Sequence, residues 1–375
     1  MTRGCVLNSV CRHVPRVRAA FVIPSLHYGG AERWTLDLAR FCDPSLIAWT
    51  GAIVTHPHWV DQRMLMALSA RMPVYCNGLV WERGGRRRTS LDGAARGLLG
   101  AANAILTWEV DEVARGLLDR IGLPVVNVAH RNDEVSLTRN LAQSDHLVAV
   151  WSSCTRTFGP SNAGRVAVIP NGIDLNRCYP VRDRDTMRRA WGYEDAELVV
   201  GYLGRIDSYK NCTAVARAVL GLDDGAYGII MGSRSSSASQ VEHDVRQMVG
   251  DRVRLLPPVE DIGSALAAID VFMLPSFTEV CSLSLLEAWA SGVPVVATRV
   301  GAVPDLEGEY GPLVVPMEPT SSPSAIAGAI ECALSNAPEL VLMRKRAADL
   351  VHKRFNVLRM AGTWTEYLVT AFGED

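Results

Sequence analysis

Short apolar runs alternate with amphipathic stretches along almost the whole chain. Runs of strand length fall at 18–24, 46–54, 72–76, 103–107, 124–129, 146–150 and 166–169, with helical periodicity between most of them. After a polar connector the alternation resumes at 197–203, 226–231, 252–256, 270–274, 293–297 and 312–315. Strands that are apolar throughout and separated by helices predict an α/β protein whose parallel sheets are covered on both faces. Pro170-Asn171-Gly172 ends one strand in a tight turn, and the connector Arg177 to Arg184 follows, which places a domain boundary near 175. The expected units are 1–175, 176–355 and a closing segment 356–375 that contains a helix over 356–372.

The most informative stretch is Leu274 to Arg299. A strand ends at Leu274, Pro275-Ser276 breaks it, and Glu279 precedes a helical run with Leu283, Leu286 and Trp289-Ala290 on one face. Gly292-Val293-Pro294 stops that helix before the next strand. The unpaired N–H groups near Ser282 and Leu283, with the positive end of the helix dipole, favour a phosphate. Glu279 and Glu287 flank that point, roughly 10 Å apart at helical rise. Carboxylates beside a phosphate are tolerable when each accepts from hydroxyls, and hydroxyl-rich groups on both sides of a diphosphate describe a nucleotide sugar. Arg205 and Lys210 bracket another strand-to-helix loop and bring two cations to one point. Lys210 is the first of only three lysines in the chain. Gly29-Gly30 allows close backbone approach at the carboxyl edge of the first strand. His130 ends another apolar run, before Arg131-Asn132-Asp133-Glu134.

Glu279, seven residues, Glu287-Ala288 and then Gly292-Val293-Pro294-Val295-Val296-Ala297 resemble the signature of the retaining GT-B glycosyltransferases of family GT4. Gly29-Gly30-Ala31-Glu32-Arg33, Pro170-Asn171-Gly172-Ile173-Asp174 and Gly204-Arg205 with Lys210 resemble other motifs of that family, and the likeness runs from about residue 18 onward. It implies the GT-B architecture, two Rossmann-like domains facing a cleft, with the last helix crossing back onto the first. The implied activity is metal-independent hexosyl transfer, with retention, from a UDP- or GDP-sugar to a hydroxyl acceptor in carbohydrate biosynthesis. The acceptor would be a glycan, a lipid or a natural product, and no cofactor is required. The resemblance implies catalytic roles for His130, Glu279, Arg205 and Lys210. Substrate contacts are implied for Gly29, Gly30, Asn171, Glu287, Val280, Cys281, Ser282 and Leu283, with no metal ligand. Val280-Cys281 departs from the usual Gly-Phe, and Gly232-Ser233-Arg234 from the usual turn, so the sugar and base stay open. A GT-B epimerase or hydrolase, a pyridoxal-phosphate-dependent phosphorylase and a non-catalytic nucleotide-sugar binder stay open as alternatives.

Composition adds limits. At 375 residues, 48% hydrophobic and with a mean hydropathy of +0.10, the chain suits two globular domains. No apolar run reaches the ~18 residues of a membrane span. Arg3, Arg12, Arg16 and Arg18 precede no apolar h-region, so no secretory signal is expected. Nine scattered cysteines without a Cys-x-x-Cys pattern predict reduced thiols and a cytoplasmic location. His56-Pro57-His58 lacks a third ligand nearby. Residues 1–178 carry 20 Arg against 14 acids, and the remainder 18 cations against 26 acids. The basic half, sharpest at Arg83, Arg86, Arg87 and Arg88, reads as a solvated loop or as a contact with an anionic acceptor or the inner membrane surface. No aromatic-studded basic stripe accompanies it, so nucleic acid is not expected as a partner.

Overall fold

The computed structural model describes residues 17–131, 144–157 and 165–373. The stretch Asn132-Asp133-Glu134 that follows His130-Arg131, and the N-terminal arginines Arg3, Arg12 and Arg16, lie outside them. Two sheets form. The first contains β1 (Val17–Ile23), β2 (Ile47–Val54), β3 (Val74–Cys76), β4 (Leu79–Glu82), β5 (Gly85–Arg88), β6 (Ala104–Thr107), β7 (Val125–Ala129), β8 (His146–Ala149) and β9 (Val166–Val168). Their order is β5-β4-β3-β2-β1-β6-β7-β8-β9. The second contains β10 (Leu198–Leu203), β11 (Ala226–Met231), β12 (Val253–Leu256), β13 (Val271–Leu274), β14 (Val295–Ala297) and β15 (Val315–Pro316). It is parallel throughout, in the order β12-β11-β10-β13-β14-β15.

Strand order reverses between β1 and β6 in one sheet and between β10 and β13 in the other. Loops leaving such neighbouring strands diverge and open a crevice at the carboxyl edge, where open α/β sheets bind ligands. The sequences of β1, β7 and β13 are buried on both faces, as strands sandwiched between helices must be.

Parallel pairing fails at one edge of the first sheet, where β3–β4 and β4–β5 are antiparallel. Asn77 (φ 50°) and Gly78 (φ 75°) form a two-residue turn in the left-handed region, which reverses the chain after β3. The stretch read as a basic loop is therefore the strand β5, with Arg86, Arg87 and Arg88 all exposed. Backbone pairing to β4 holds it, Arg86 lies over the Trp81 ring at 5.1 Å, and Arg87 sits 3.7 Å from Glu82. A strand with no buried face has no apolar alternation to announce it. Charged side chains on such an edge discourage pairing with other chains.

The final helix, Val357–Phe372, rests on the first helix, Gly30–Phe41. Its apolar residues recur at Met360-Ala361, Trp364-Thr365 and Leu368, and Asn356 caps it by accepting from the Arg359 N–H. Trp364 is fully buried with its ring 5.3 Å from Trp34, which in turn meets Phe21 of β1 edge-on. Replacing a tryptophan so placed by alanine costs about 3–5 kcal/mol. The chain crosses between the sheets twice, and the crossings pair. Ile173 N–H donates to the Phe355 carbonyl and Val357 N–H to the Ile173 carbonyl, each at 2.8 Å.

Candidate functional site

One cleft of about 750 Å³ lies between the two carboxyl edges and is lined from both domains. The second domain supplies the loops after β10 and β13. In the first, Asp207 accepts from the Tyr209 N–H to open a short turn, and Asn211 closes it at φ 54°. Asn211 Nδ2 donates to the carbonyls of Pro275 and Pro319, both at 2.9 Å, which joins this loop to the one after β13. Ser235 and Ser237 brace it from the side, through the Ile206 carbonyl and the Ser208 N–H. Arg205 and Lys210 are thus presented by a tied loop. Arg205 makes no ion pair among the described residues, and its Nε is buried without a hydrogen-bond partner. Lys210 Nζ lies 2.8 Å from Glu279 Oε1, which also accepts from Ser276 Oγ at 2.7 Å.

The helix Leu283–Ser291 begins directly after this point. Ser282 caps it by accepting from the Leu285 N–H, and the N–H groups before Leu285 have no carbonyl within the helix to meet. Glu287, 7% exposed, accepts from Arg177 Nη1 at 3.0 Å, and its Oε2 has no hydrogen-bond partner among the described residues. The Val280 and Cys281 side chains are buried. Their backbone is held as well: Val280 O accepts from the Ala302 N–H, and Cys281 O from Asn171 Nδ2 at 3.0 Å.

On the first domain's side, Gly29 and Gly30 open the first helix at the cleft, and Leu283 faces Gly30 across it. Arg33, one turn on, is 3.7 Å from Asp37. Desolvation, then the nearby Arg177 charge, lowers the Arg33 pKa. Desolvation also pushes the Asp37 carboxyl up to about 6, against the pull of Arg33. His130 lines the cleft with its ring 5.0 Å from Trp34, and its buried Nε2 has no hydrogen-bond partner among the described residues. Burial pushes its pKa down to about 3, so the imidazole is neutral near pH 7.

All twelve residues singled out in the sequence, His130, Glu279, Arg205, Lys210, Gly29, Gly30, Asn171, Glu287, Val280, Cys281, Ser282 and Leu283, line this one cleft. Val280 and Cys281 contribute backbone and buried packing, and Asn171 ties the domain crossover to the Glu279 loop. Three further arginines, Arg33, Arg131 and Arg177, line the same cleft. Arg177 lay unremarked in a polar connector, and its pairing with Glu287 spans 110 residues. Its position one turn past Asp174, which caps the Leu175–Cys178 turn, was the available signal. Among the described residues no three His, Cys, Asp or Glu side chains cluster as metal ligands would. His56 instead faces Asp111 at 3.3 Å.

Residues 197–336 match the family model described as Glycosyl transferases group 1. A D-inositol 3-phosphate glycosyltransferase of Corynebacterium diphtheriae is 35% identical over 169 residues, 41% of this chain and 40% of its own length. That of Mycobacterium marinum is 33% identical over 197 residues, 50% of this chain and 41% of its own length. The chain therefore spans less than half the length of these curated relatives. Among solved structures, Anabaena Alr3699/HepE in complex with UDP and glucose superposes with a TM-score of 0.76 at 19% identity, over 94% of this chain and 100% of that one. Sucrose-phosphate synthase from Thermosynechococcus elongatus gives 0.68 at 18% identity, over 95% and 99%. At such identities the likeness is one of fold.

Proposed function

We propose that this chain, a GT-B protein whose residues 197–336 match the group 1 glycosyltransferases, transfers a sugar from a nucleoside diphosphate to a hydroxyl acceptor. The reading includes retention of anomeric configuration and a reaction that needs no metal. One observation carries it: the Arg205 guanidinium, with no acid paired to it among the described residues, stands in the same cleft as the acidic hooks Glu279 and Glu287. A half-buried cation of this kind favours an anion, and a flanking carboxylate favours hydroxyls. A diphosphate between two polyols meets both demands. The fold neighbour HepE, solved in complex with UDP and glucose, supports the same choice.

In this reading Glu287 accepts from the ribose hydroxyls through Oε2 while Arg177 holds Oε1. Glu279 accepts from the donor sugar. Lys210 exchanges its bond to Glu279 for one to the diphosphate and, with Arg205 and the helix N-terminus at Leu283, takes up the charge that develops as the bond from the anomeric carbon to phosphate breaks. The acceptor oxygen bonds to that carbon on the same face, and its proton passes to the departing phosphate oxygen. Neutral His130 offers a hydrogen bond to the sugar or phosphate and takes no part as an imidazolium acid.

A thermal-shift and calorimetric screen of UDP-, GDP-, ADP- and dTDP-sugars identifies the donor. An acceptor panel that includes inositol 3-phosphate, named for the curated relatives, then identifies products by mass spectrometry and their anomeric configuration by NMR. Arg205→Ala and Glu287→Ala should each weaken donor binding by about 10- to 100-fold, the size of a lost charged hydrogen bond. Wild-type affinity in either variant removes the assignment.

A further inference from the structure

Trp59 is 58% exposed although tryptophan is among the residues most often covered. It lines the cleft from the first domain's side, on the turn after β2. The turn is held rather than loose. Trp59 N–H donates to the His56 carbonyl at 3.1 Å, the Trp59 carbonyl accepts from the Leu26 N–H at 2.9 Å, and the His56 ring meets the indole edge-on at 5.3 Å. His56 is itself held by Asp111. An aromatic face is thus fixed in the open beside a polar crevice. Such a surface stacks well against the C–H face of a sugar ring, whose hydroxyls then project to neighbouring polar groups.

The charges on this wall indicate which ring. The arginines on this side, Arg33, Arg63 and Arg131, each face an acid: Arg33 lies 3.7 Å from Asp37, Arg63 3.2 Å from Asp61 and Arg131 3.8 Å from Glu109. A phosphate on this wall would have to displace one of those carboxylates. A hydroxyl instead donates to Glu109 and accepts from Arg131 without breaking the pair. On the opposite wall Arg205 has no acid paired with it among the described residues, so the anion-binding and neutral parts of the cleft are separate.

We propose that Trp59 is the platform of the acceptor subsite, and that the acceptor presents an uncharged pyranose ring to it, with Glu109 and Arg131 meeting its hydroxyls. The inference rests on the transferase reading and adds the acceptor's chemical class.

Saturation-transfer NMR tests it on the whole chain, with and without saturating UDP or GDP. The probes are methyl glucoside, methyl galactoside, methyl mannoside and methyl N-acetylglucosaminide, beside glucose 6-phosphate and mannose 6-phosphate. At least one uncharged glycoside should receive saturation on its ring C–H protons. Trp59→Ala should weaken that binding at least 10-fold and leave nucleotide affinity within twofold, and Trp59→Phe should recover part of it. Binding confined to the phosphorylated sugars, no glycoside binding with or without nucleotide, or unchanged glycoside affinity in Trp59→Ala each overturns the proposal. Failure of UDP, GDP and their sugars to bind the wild-type chain, with glycoside binding intact, instead removes the donor reading.

Discussion

His130 shows how burial decides what one side chain does. Its imidazole packs against Trp34 with Nε2 sealed from water, and burial holds its pKa near 3, against about 6.5 in an unfolded chain. Between those values the unfolded state binds a proton that the folded state refuses. The stabilising contribution is therefore complete above pH 6.5 and is lost as the pH falls toward 3. By pH 5 the loss is on the order of 1–2 kcal/mol. Urea unfolding of wild type and His130→Gln between pH 7.5 and 4.5 measures it. The wild type should lose stability faster on acidification, and parallel curves would show that His130 is not sealed as described. The sequence placed His130 at a strand's carboxyl edge, but the partner that seals it, Trp34, lies 96 positions away and is visible only in the fold. Arg177 is the opposite case: its side chain is ordinary for a connector, and only the approach of Glu287 gives it a site to occupy.

At the level of elements, the pattern of apolar runs was a good guide for central strands such as β1, β6, β7 and β13, which are buried on both faces. Edge strands carry less of that signal: β9 holds no fully buried residue, and β5 buries nothing and pairs through its backbone alone. The Gly29-Gly30 turn was also legible, but not the reason for each glycine. Gly29 has an extended backbone, with φ −147°. A Cβ there would lie 2.2 Å from the Glu32 carboxylate, which is 3% exposed and accepts from Ser25 Oγ at 2.7 Å. A Cβ on Gly30 would meet only Leu283, at an ordinary 3.9 Å. Gly29→Ala should therefore destabilise the fold by about 1–2 kcal/mol, since a buried carboxylate must leave its partner. Gly30→Ala should unfold within a degree or two of wild type. A donor affinity that falls in Gly30→Ala, with its stability intact, would report a ligand touching that backbone. Equal melting points for the two variants would contradict this division of roles.

For the whole molecule, the question is what keeps the two walls of the cleft together. Several of the contacts across it are polar and few atoms wide. Tyr28 donates to Glu260 at 3.0 Å, the Tyr28 carbonyl accepts from Ser233 Oγ at 2.6 Å, and Trp151 Nε1 and Ser152 Oγ donate to Asp305 at 2.9 and 3.0 Å. None of these pairs could be read from the sequence, because each joins surfaces whose own domains are complete without the other. Arg63 stacks on the Tyr28 ring at 4.7 Å and keeps it aimed at Glu260. Each such hydrogen bond is worth about 0.5–1.5 kcal/mol, so losing three shifts a closed-to-open ratio by roughly 10- to 2,000-fold. Tyr28→Phe combined with Asp305→Ala removes the bonds to Glu260 and Asp305, leaves the Ser233 bond to the Tyr28 carbonyl and keeps the ring for Arg63. Small-angle scattering of the double variant should give a larger radius of gyration than wild type without nucleotide, and saturating donor should reverse the increase. The apparent donor affinity should fall in proportion to the closed fraction lost. An unchanged radius with unchanged affinity would mean that the domains are held by the paired crossovers at Ile173 and Val357 and by the Trp34–Trp364 packing, with the cleft-mouth contacts merely following.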